Sequence, residues 1–550
     1  MNGQPRFTAL GKIISILLVA GLVGLGYYMI RRGADDSAPA PSGDAEAGAP
    51  AATEVQVEVP KLSPPAPFQF KDNIVPIEIS EYAGYAGLIA ANGGLEPTEN
   101  SYFFKNHGFK VRLTVSEDEN WSELNEGKLA ASVTTVDVLA AYGRQLHAVV
   151  PAQIGFSRGA DGVVVRSDIK RINQLKGKTI ATAQFTEVDF FIRYLAQEAG
   201  LPIHALGSLD ATPHPDRLNL VYTEDGFGAG DLFLTDIKSG KNRLAGCVTW
   251  EPKVSEVVEG SGGQAHVLTT NRNLLIIADV LIVHRGFAQD QPKVVQGLVQ
   301  GLLEGNRMVR DQPESHLDVV ARAFKWSRAD AKSELANVHL SNLPENLAFF
   351  SGAIDAAGSF GGIYQSAVLA YGSDLIKDPP DPGRFAELSA LEAVEKTGIF
   401  KEQKVAIAPI RTGGGTSVEA DPLLSKDIRF FFEPNSATLD QANPENIRNL
   451  ESIKRLLQVS PGSTLLLRGH VDNAKVAEFR KMGGEAYLRT QALKAMELSK
   501  NRAAEIRKLL IERYTLDPKR LDIVGRGWEE PAGPNSDLNR RVEVLWFTVE

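Results

Sequence analysis

Residues 464–473 read TLLLRGHVDN. Thr464 to Leu467 is a short apolar run, and Gly469, Asp472 and Asn473 are turn residues, so a strand ends here in a loop that presents a carboxylate. Working outward, strand and helix chemistry alternate on both sides. Upstream, Ile428 to Phe432 reads as a strand. Asn443 followed by Pro444 is an N-cap with proline at the first helical position, and it opens a helix with Ile447, Leu450, Ile453 and Leu457 facing inward. Downstream, a long helix carries Leu498, Ile506, Leu509 and Leu510, and Val542 to Val549 closes as a strand. The pattern predicts a small α+β domain around a mixed sheet, over residues 425–550.

Five ordered blocks in this domain resemble the OmpA C-terminal family. They are Phe432 with Asn435, Ser436 and Ala437; Gly469 through Asn473; Leu498, Ser499, Arg502 and Ala503; Gly525, Gly527, Glu529 and Pro531; and Asn539 through Glu543. The resemblance covers essentially the whole domain and implies peptidoglycan binding. In that reading Asp472 accepts hydrogen bonds from an ammonium, and the planar fork of Arg502 grips a carboxylate. Together they would hold the diaminopimelate side chain of a stem peptide, with Asn435, Asn473, Arg540 and Arg541 lining the same site. A plain Asp472–Arg502 salt bridge is the structural alternative. The sequence departs from the family pattern in two ways. Asp472 and Arg502 lie 30 positions apart because Lys475 to about Ala495 reads as an insertion, and Val471 and Ala495 stand where the family has Thr and Asn. His470 is expected to be a structural turn residue.

The chain has 550 residues, enough for two or three domains, and 59 basic against 68 acidic residues for a formal net charge of −9. That balance excludes a general nucleic-acid footprint. Cys247, the single cysteine, rules out an intrachain disulfide or a thiolate cluster and reads as a buried apolar residue. Ile13 to Ile30 is apolar, broken only by Ser15 and glycines, and flanked by Lys12 before and Arg31 and Arg32 after. As a helix it reaches about 27 Å, close to a hydrocarbon core. The run ends in Tyr27, Tyr28, Met29 and Ile30 rather than small residues, so an uncleaved signal anchor at 13–30 is expected, after a cytoplasmic stretch at 1–12. Basic residues on both sides leave the positive-inside rule indecisive. Residues 31–68 are rich in Ala, Pro and Gly and read as a solvated linker, and 406–424 as a Gly-rich one.

Between the linkers, residues 70–405 alternate apolar runs with amphipathic stretches, as α/β folds do. Ile74 to Ile79, Lys110 to Val115, Val163 to Val165 and Thr179 to Ala183 read as strands, and helices are predicted after Thr186 and from Gln291. Trp121 with Leu124, Gly127 and Lys128, Gly159 through Val165, and Leu175 through Ala181 resemble the solute-binding proteins of ABC importers for nitrate, taurine, alkanesulfonates and thiamine precursors. The implied fold is two α/β lobes with ligand between them, and an ABC permease is the partner that the resemblance implies. Loops after strands supply the candidate solute contacts Tyr82, Tyr85, Thr135, Ser157, Thr186 and Trp250. Helix capping is the alternative role for Thr135 and Thr186, and core packing for Trp250. Glu251 would repel an anion.

No P-loop, nucleophile elbow, metal-ligand spacing or cofactor motif is found, so no enzyme, metal or cofactor is expected. A flagellar-type stator also pairs one span with an OmpA-like domain. It needs an ionisable group in the span, and residues 13–30 carry none, which sets that class aside. The sequence therefore predicts a single-pass inner-membrane protein with its bulk in the periplasm of a Gram-negative-type cell. It would bind peptidoglycan and a small solute, for ABC-type import or envelope sensing. The alternative is a structural tether whose central domain binds a protein partner, with an enzyme on the solute-binding fold ranked after it.

Overall fold

The computed structural model describes residues 51–116, 121–352, 358–407, 422–433, 436–534 and 536–548. The anchor expected at 13–30 lies outside the described residues, and among those described no helix is long and apolar enough to cross a membrane.

Two six-stranded sheets form the central body. In spatial order the first contains Val338–Leu340, Ala148–Ser157, Ala278–His284, Ala131–Thr135, Ile74–Ser80 and Lys110–Ser116. Ile74–Ser80 runs parallel to both its neighbours, and Ala278–His284 antiparallel to both of its own. The second sheet contains Ala265–Thr270, Asp161–Arg166, Gly246–Trp250, Thr179–Ala183, Leu218–Thr223 and Ile203–Ala205. Between Ser157 and Asp161 the chain passes from the first sheet to the second, and between Thr270 and Ala278 it returns. Two crossovers therefore join two lobes, each a sheet covered by helices. All four predicted strands are present. Thr179–Ala183 is buried at every position, as a parallel strand covered on both faces must be. The helix Glu187–Glu198 buries Val188, Phe191 and Leu195, and Gly200 follows it at φ +69°.

In the first lobe, helix Pro292–Asp311 crosses helix Ala86–Asn92 at glycines. A Cβ on Gly305 would lie 1.9 Å from the Gly87 carbonyl oxygen, so the two backbones touch where side chains would normally stand.

The described part of the expected linker, residues 51–68, is not a solvated spacer. Thr53 N–H donates to the Tyr222 carbonyl (2.7 Å), and the Gln184 carboxamide pairs with both backbone groups of Gln56 (2.8 Å each) on the second lobe. On the first lobe, the Gln145 side chain binds Leu62 N–H and the Pro60 carbonyl, and Asn125 holds Ser63 and Ala66. Val55, Val59 and Leu62 pack against the main core. Side-chain amides take the place of a strand partner, so a segment of this composition is fixed as a strap over both lobes.

The C-terminal domain is a four-stranded sheet in the order Leu424–Ile428, Val542–Phe547, Thr464–Gly469, Leu521–Gly525. Asn443 caps the helix Pro444–Val459, its side chain accepting from Glu445 N–H at 2.9 Å. The strand expected at 428–432 is displaced: pairing ends at Ile428, and Phe432 makes only an isolated bridge to Leu439. Here the Asn446 carboxamide binds Phe431 N–H (2.9 Å) and its carbonyl (2.7 Å), satisfying the backbone without a neighbouring strand. The insertion is helical. It begins the long element Val476–Tyr514, which breaks at Gly483 and Gly484, where Gly484 has φ +63°.

This domain shares a hydrophobic core with the central body. Asn173 exchanges two 2.7 Å hydrogen bonds with the backbone of Ser425, Ile172 N–H donates to the Leu423 carbonyl, and Lys426 pairs with Glu198 at 3.3 Å. Gly305→Ala is expected to lower stability by about 2–3 kcal/mol through overpacking of the helix crossing. Denaturant unfolding would measure this, and the position is not a close contact if the midpoint is unchanged.

Candidate functional site

The C-terminal constellation follows from glycines. Gly469 and Gly525 end two neighbouring parallel strands. A Cβ on Gly469 would lie 2.0 Å from the Ser499 carbonyl, and one on Gly525 would lie 2.5 Å from that of Met496. The long helix can therefore lie directly on the strand ends, where the buried Ser499 hydroxyl accepts from Gly527 N–H at 3.0 Å. Arg502, one turn further on, is thereby carried to the loop containing Asp472.

Asp472 keeps its side chain 29 % exposed, accepts from Ala474 N–H at 3.1 Å and approaches Arg540 Nε at 3.5 Å. The Arg502 guanidinium stacks 4.8 Å above the Phe432 ring and donates from Nε to the Ser436 carbonyl at 3.3 Å. Burial and then Arg540 depress its pKa, and Asp472 opposes them. Two cations thus face one carboxylate, and the surplus positive charge suits a second carboxylate from outside while Asp472 can receive an ammonium.

Asn473 contacts Asn539 at 3.4 Å. Asn539 itself is buried and bonds to Ala532 N–H and to both backbone groups of Gly533. Arg541 points elsewhere and pairs with Asp427 at 2.8 Å, which ties the edge strand to the sheet. Asn435 lies outside the described residues. His470, Glu530 and Glu543 bring ligand atoms within 4.8 Å of one another. The Arg468 guanidinium already bridges the two carboxylates, at 2.5 and 2.9 Å, so this group is an ion-pair network.

In the central body the crossovers meet in a buried polar cluster. Asn271 donates to Ser157 Oγ (2.8 Å) and Asp161 Oδ2 (2.6 Å), its carbonyl accepts from Gly159 N–H (2.7 Å), and Ser157 Oγ donates to Asp161 at 2.6 Å. The Tyr85 hydroxyl donates to Asp279 at 3.1 Å, and the Tyr82 ring stands edge-on to Tyr85 at 5.4 Å with its hydroxyl buried. Burial raises the Asp161 carboxyl to about 6, against the opposing bonds from Ser157 and Asn271.

Thr135 and Thr186 both occupy N-cap positions, yet neither side chain caps its helix. The Thr186 hydroxyl donates to the Ala183 carbonyl at 2.7 Å, and the buried hydroxyl of Thr135 acts on the Asp137 carboxyl, lowering its pKa. Trp250 ends its strand against Phe227, 5.6 Å away, and fills the space over Gly226. Tyr82, Tyr85, Thr135 and Ser157 thus gather at the crossovers, and Trp250 packs within the second lobe.

Sequence reasoning did not select Asp137, Asp189, Arg193, Asn271 or Asp279. Asp189 and Arg193 form a buried i,i+4 pair at 2.7 Å, and their spacing was the available signal. Asp137 lies two residues after Thr135, is fully buried, and among the described residues has no basic group paired with it. Burial raises its pKa to about 7, opposed by Thr135 and its own backbone and reinforced by Asp161 and Asp189.

The C-terminal domain is a compact α+β sheet domain whose long helix is seated on glycines and whose loop end gathers Asp472, Arg502 and Arg540. Residues 431–544 match the profile of the OmpA family, and the C-terminal domain is an OmpA domain. Over 179 residues the chain is 29% identical to Motility protein B of Helicobacter pylori (strain J99 / ATCC 700824), covering 31% of this chain and 63% of that protein. Over 125 residues it is 26% identical to Outer membrane protein Omp38 of Acinetobacter baumannii, covering 22% of this chain and 30% of that protein. The chain thus spans less than two thirds of either relative. The central body is structurally similar to periplasmic solute-binding proteins. The aliphatic sulphonate binding protein SsuA of Escherichia coli aligns with TM-score 0.42 and 16% identity over 57% of this chain and 96% of its own. The nitrate-binding protein NrtA of Synechocystis PCC 6803 aligns with TM-score 0.41 and 11% identity over 60% and 90%.

An acid whose folded pKa lies above its unfolded value holds its proton more tightly in the native state, so its ionisation costs stability as pH rises from about 4 through the folded value. For Asp137 that window closes near pH 7. Asp137→Asn is expected to melt several degrees above the unsubstituted protein at pH 8, with the difference shrinking toward pH 5. Thermal melts across that range would check it, and a pH-independent difference would rule out an ionisation penalty at Asp137.

Proposed function

We propose that the protein is an inner-membrane-anchored periplasmic protein that grips peptidoglycan through its OmpA domain and holds a small solute between the lobes of its central body. The convergence of Asp472, Arg502 and Arg540 at one loop end of the OmpA domain carries the first half of the reading. A diaminopimelate side chain ends in one ammonium and one carboxylate, which Asp472 and Arg502 match in charge and hydrogen-bonding capacity. Peptidoglycan lies outside the inner membrane, so wall binding would orient the anchor with the bulk of the chain in the periplasm. The second half rests on the two-lobed topology and on the polar groups gathered at its crossovers. ABC-type import or envelope sensing would use such a body, with a permease as the further partner. Neither domain is read as catalytic.

The likeness to Motility protein B favours a second reading, an envelope tether whose central body binds a protein partner. The uncharged span argues against ion-driven work in this chain.

Full-length protein in detergent should sediment with diaminopimelate-type peptidoglycan, and Asp472→Ala and Arg502→Ala should each reduce retention at least tenfold, as expected for loss of a charge-assisted bond worth about 1.5–3 kcal/mol. Asp427→Ala, outside the proposed site, should bind normally. Undiminished retention by both site variants would overturn the assignment.

A further inference from the structure

The interlobe cluster has a charge imbalance. Asp137 belongs to the first lobe, yet the charges that act on it are Asp161 and Asp189, both in the second. Asp279, on the first lobe, and Asp161 both act on the Tyr82 hydroxyl. Of these four acids, Asp189 is neutralised by Arg193, Asp161 is held by Ser157 and Asn271, and Asp279 accepts from Tyr85. Asp137 is 0% exposed, and among the described residues no basic group pairs with it. The buried hinge guanidinium, Arg158, is turned onto the Arg272 carbonyl and Asn273 Oδ1. A buried carboxylate without a basic partner is costly, and a site with this surplus of acids repels a sulfonate or nitrate. The surrounding rings point the same way. Tyr82 and Tyr85 stand beside Asp279, whereas the Tyr371 ring is already covered by the Arg193 guanidinium at 5.0 Å. Aromatic faces and carboxylates together attract organic cations.

We propose that the cleft takes an organic cation bearing an ammonium or amidinium group, with Asp137 as its counter-charge and the hydroxyls of Thr135 and Tyr82 as further contacts. The inference rests on the solute-binding reading of the central body and names the class of solute. It replaces the nitrate, sulfonate and taurine group that the sequence resemblance suggests with cations.

Calorimetric titration of the full-length protein at pH 8 with putrescine, agmatine and choline, and separately with taurine, methanesulfonate and nitrate, tests it. At least one cation should bind and none of the three anionic or zwitterionic probes should. Asp137→Asn should weaken cation binding at least tenfold, and Tyr82→Phe, which removes one hydroxyl, should weaken it less. Circular dichroism would verify that both variants fold, and the selectivity of the unsubstituted protein remains decisive if Asp137→Asn does not. Binding of a sulfonate or nitrate in preference to every cation would overturn the inference and leave the solute-binding reading standing. Equal cation affinity in Asp137→Asn would overturn the assigned site. Absence of binding by both panels would overturn the solute-binding reading and this inference with it.

Discussion

One side-chain amide links the two lobes. Asn271 lies on the returning crossover and binds Ser157, Gly159 and Asp161 on the outgoing one, so the two passages of chain between the sheets are fixed against each other. Ser157 and Asp161 take their positions from that bond set directly, and Asp279 because its strand begins where the returning crossover ends. Removal of such a buried amide would leave several polar groups unpaired at once, so the network has little tolerance for partial loss.

Much of the architecture was legible because it was written in local chemistry. Thr179–Ala183 shows as a strand because a fully buried parallel strand has an uninterrupted run of small and apolar residues, and Asn443-Pro444 shows as a helix start because cap and proline each have one physical role there. Reading failed where a side chain took over a backbone's partner. At Phe431 the apolar run continues past the strand, yet Asn446, 15 residues away in sequence, satisfies its backbone, and no local pattern announces that. Similarly, Val55 and Val59 pack inward while Val57 is 75% exposed, an inward spacing of four residues in an extended segment that matches no strand alternation and that the Ala- and Pro-rich context concealed.

The candidate sites divide the same way. Asp472 and Arg502 come from motif positions, and the insertion between them does not separate them because it is taken up by a kinked helical arm ahead of Arg502. Arg541, from the same motif, serves the sheet edge instead, since neighbouring residues at the start of a strand point to opposite faces. In the cleft the sequence located the loops and missed the acids. Asp137 looks like an ordinary first-turn helix residue until its burial and its neighbours from the other lobe are known.

The strap at 51–68 sets a length scale. Gln56 is bonded to the second lobe and Leu62 to the first, with six peptide units between them. Fully extended, those units reach about 20 Å. The segment is thus a leash of fixed length between the lobes, and any swing of the lobes that outruns it must first unzip the Gln184 or Gln145 clasp.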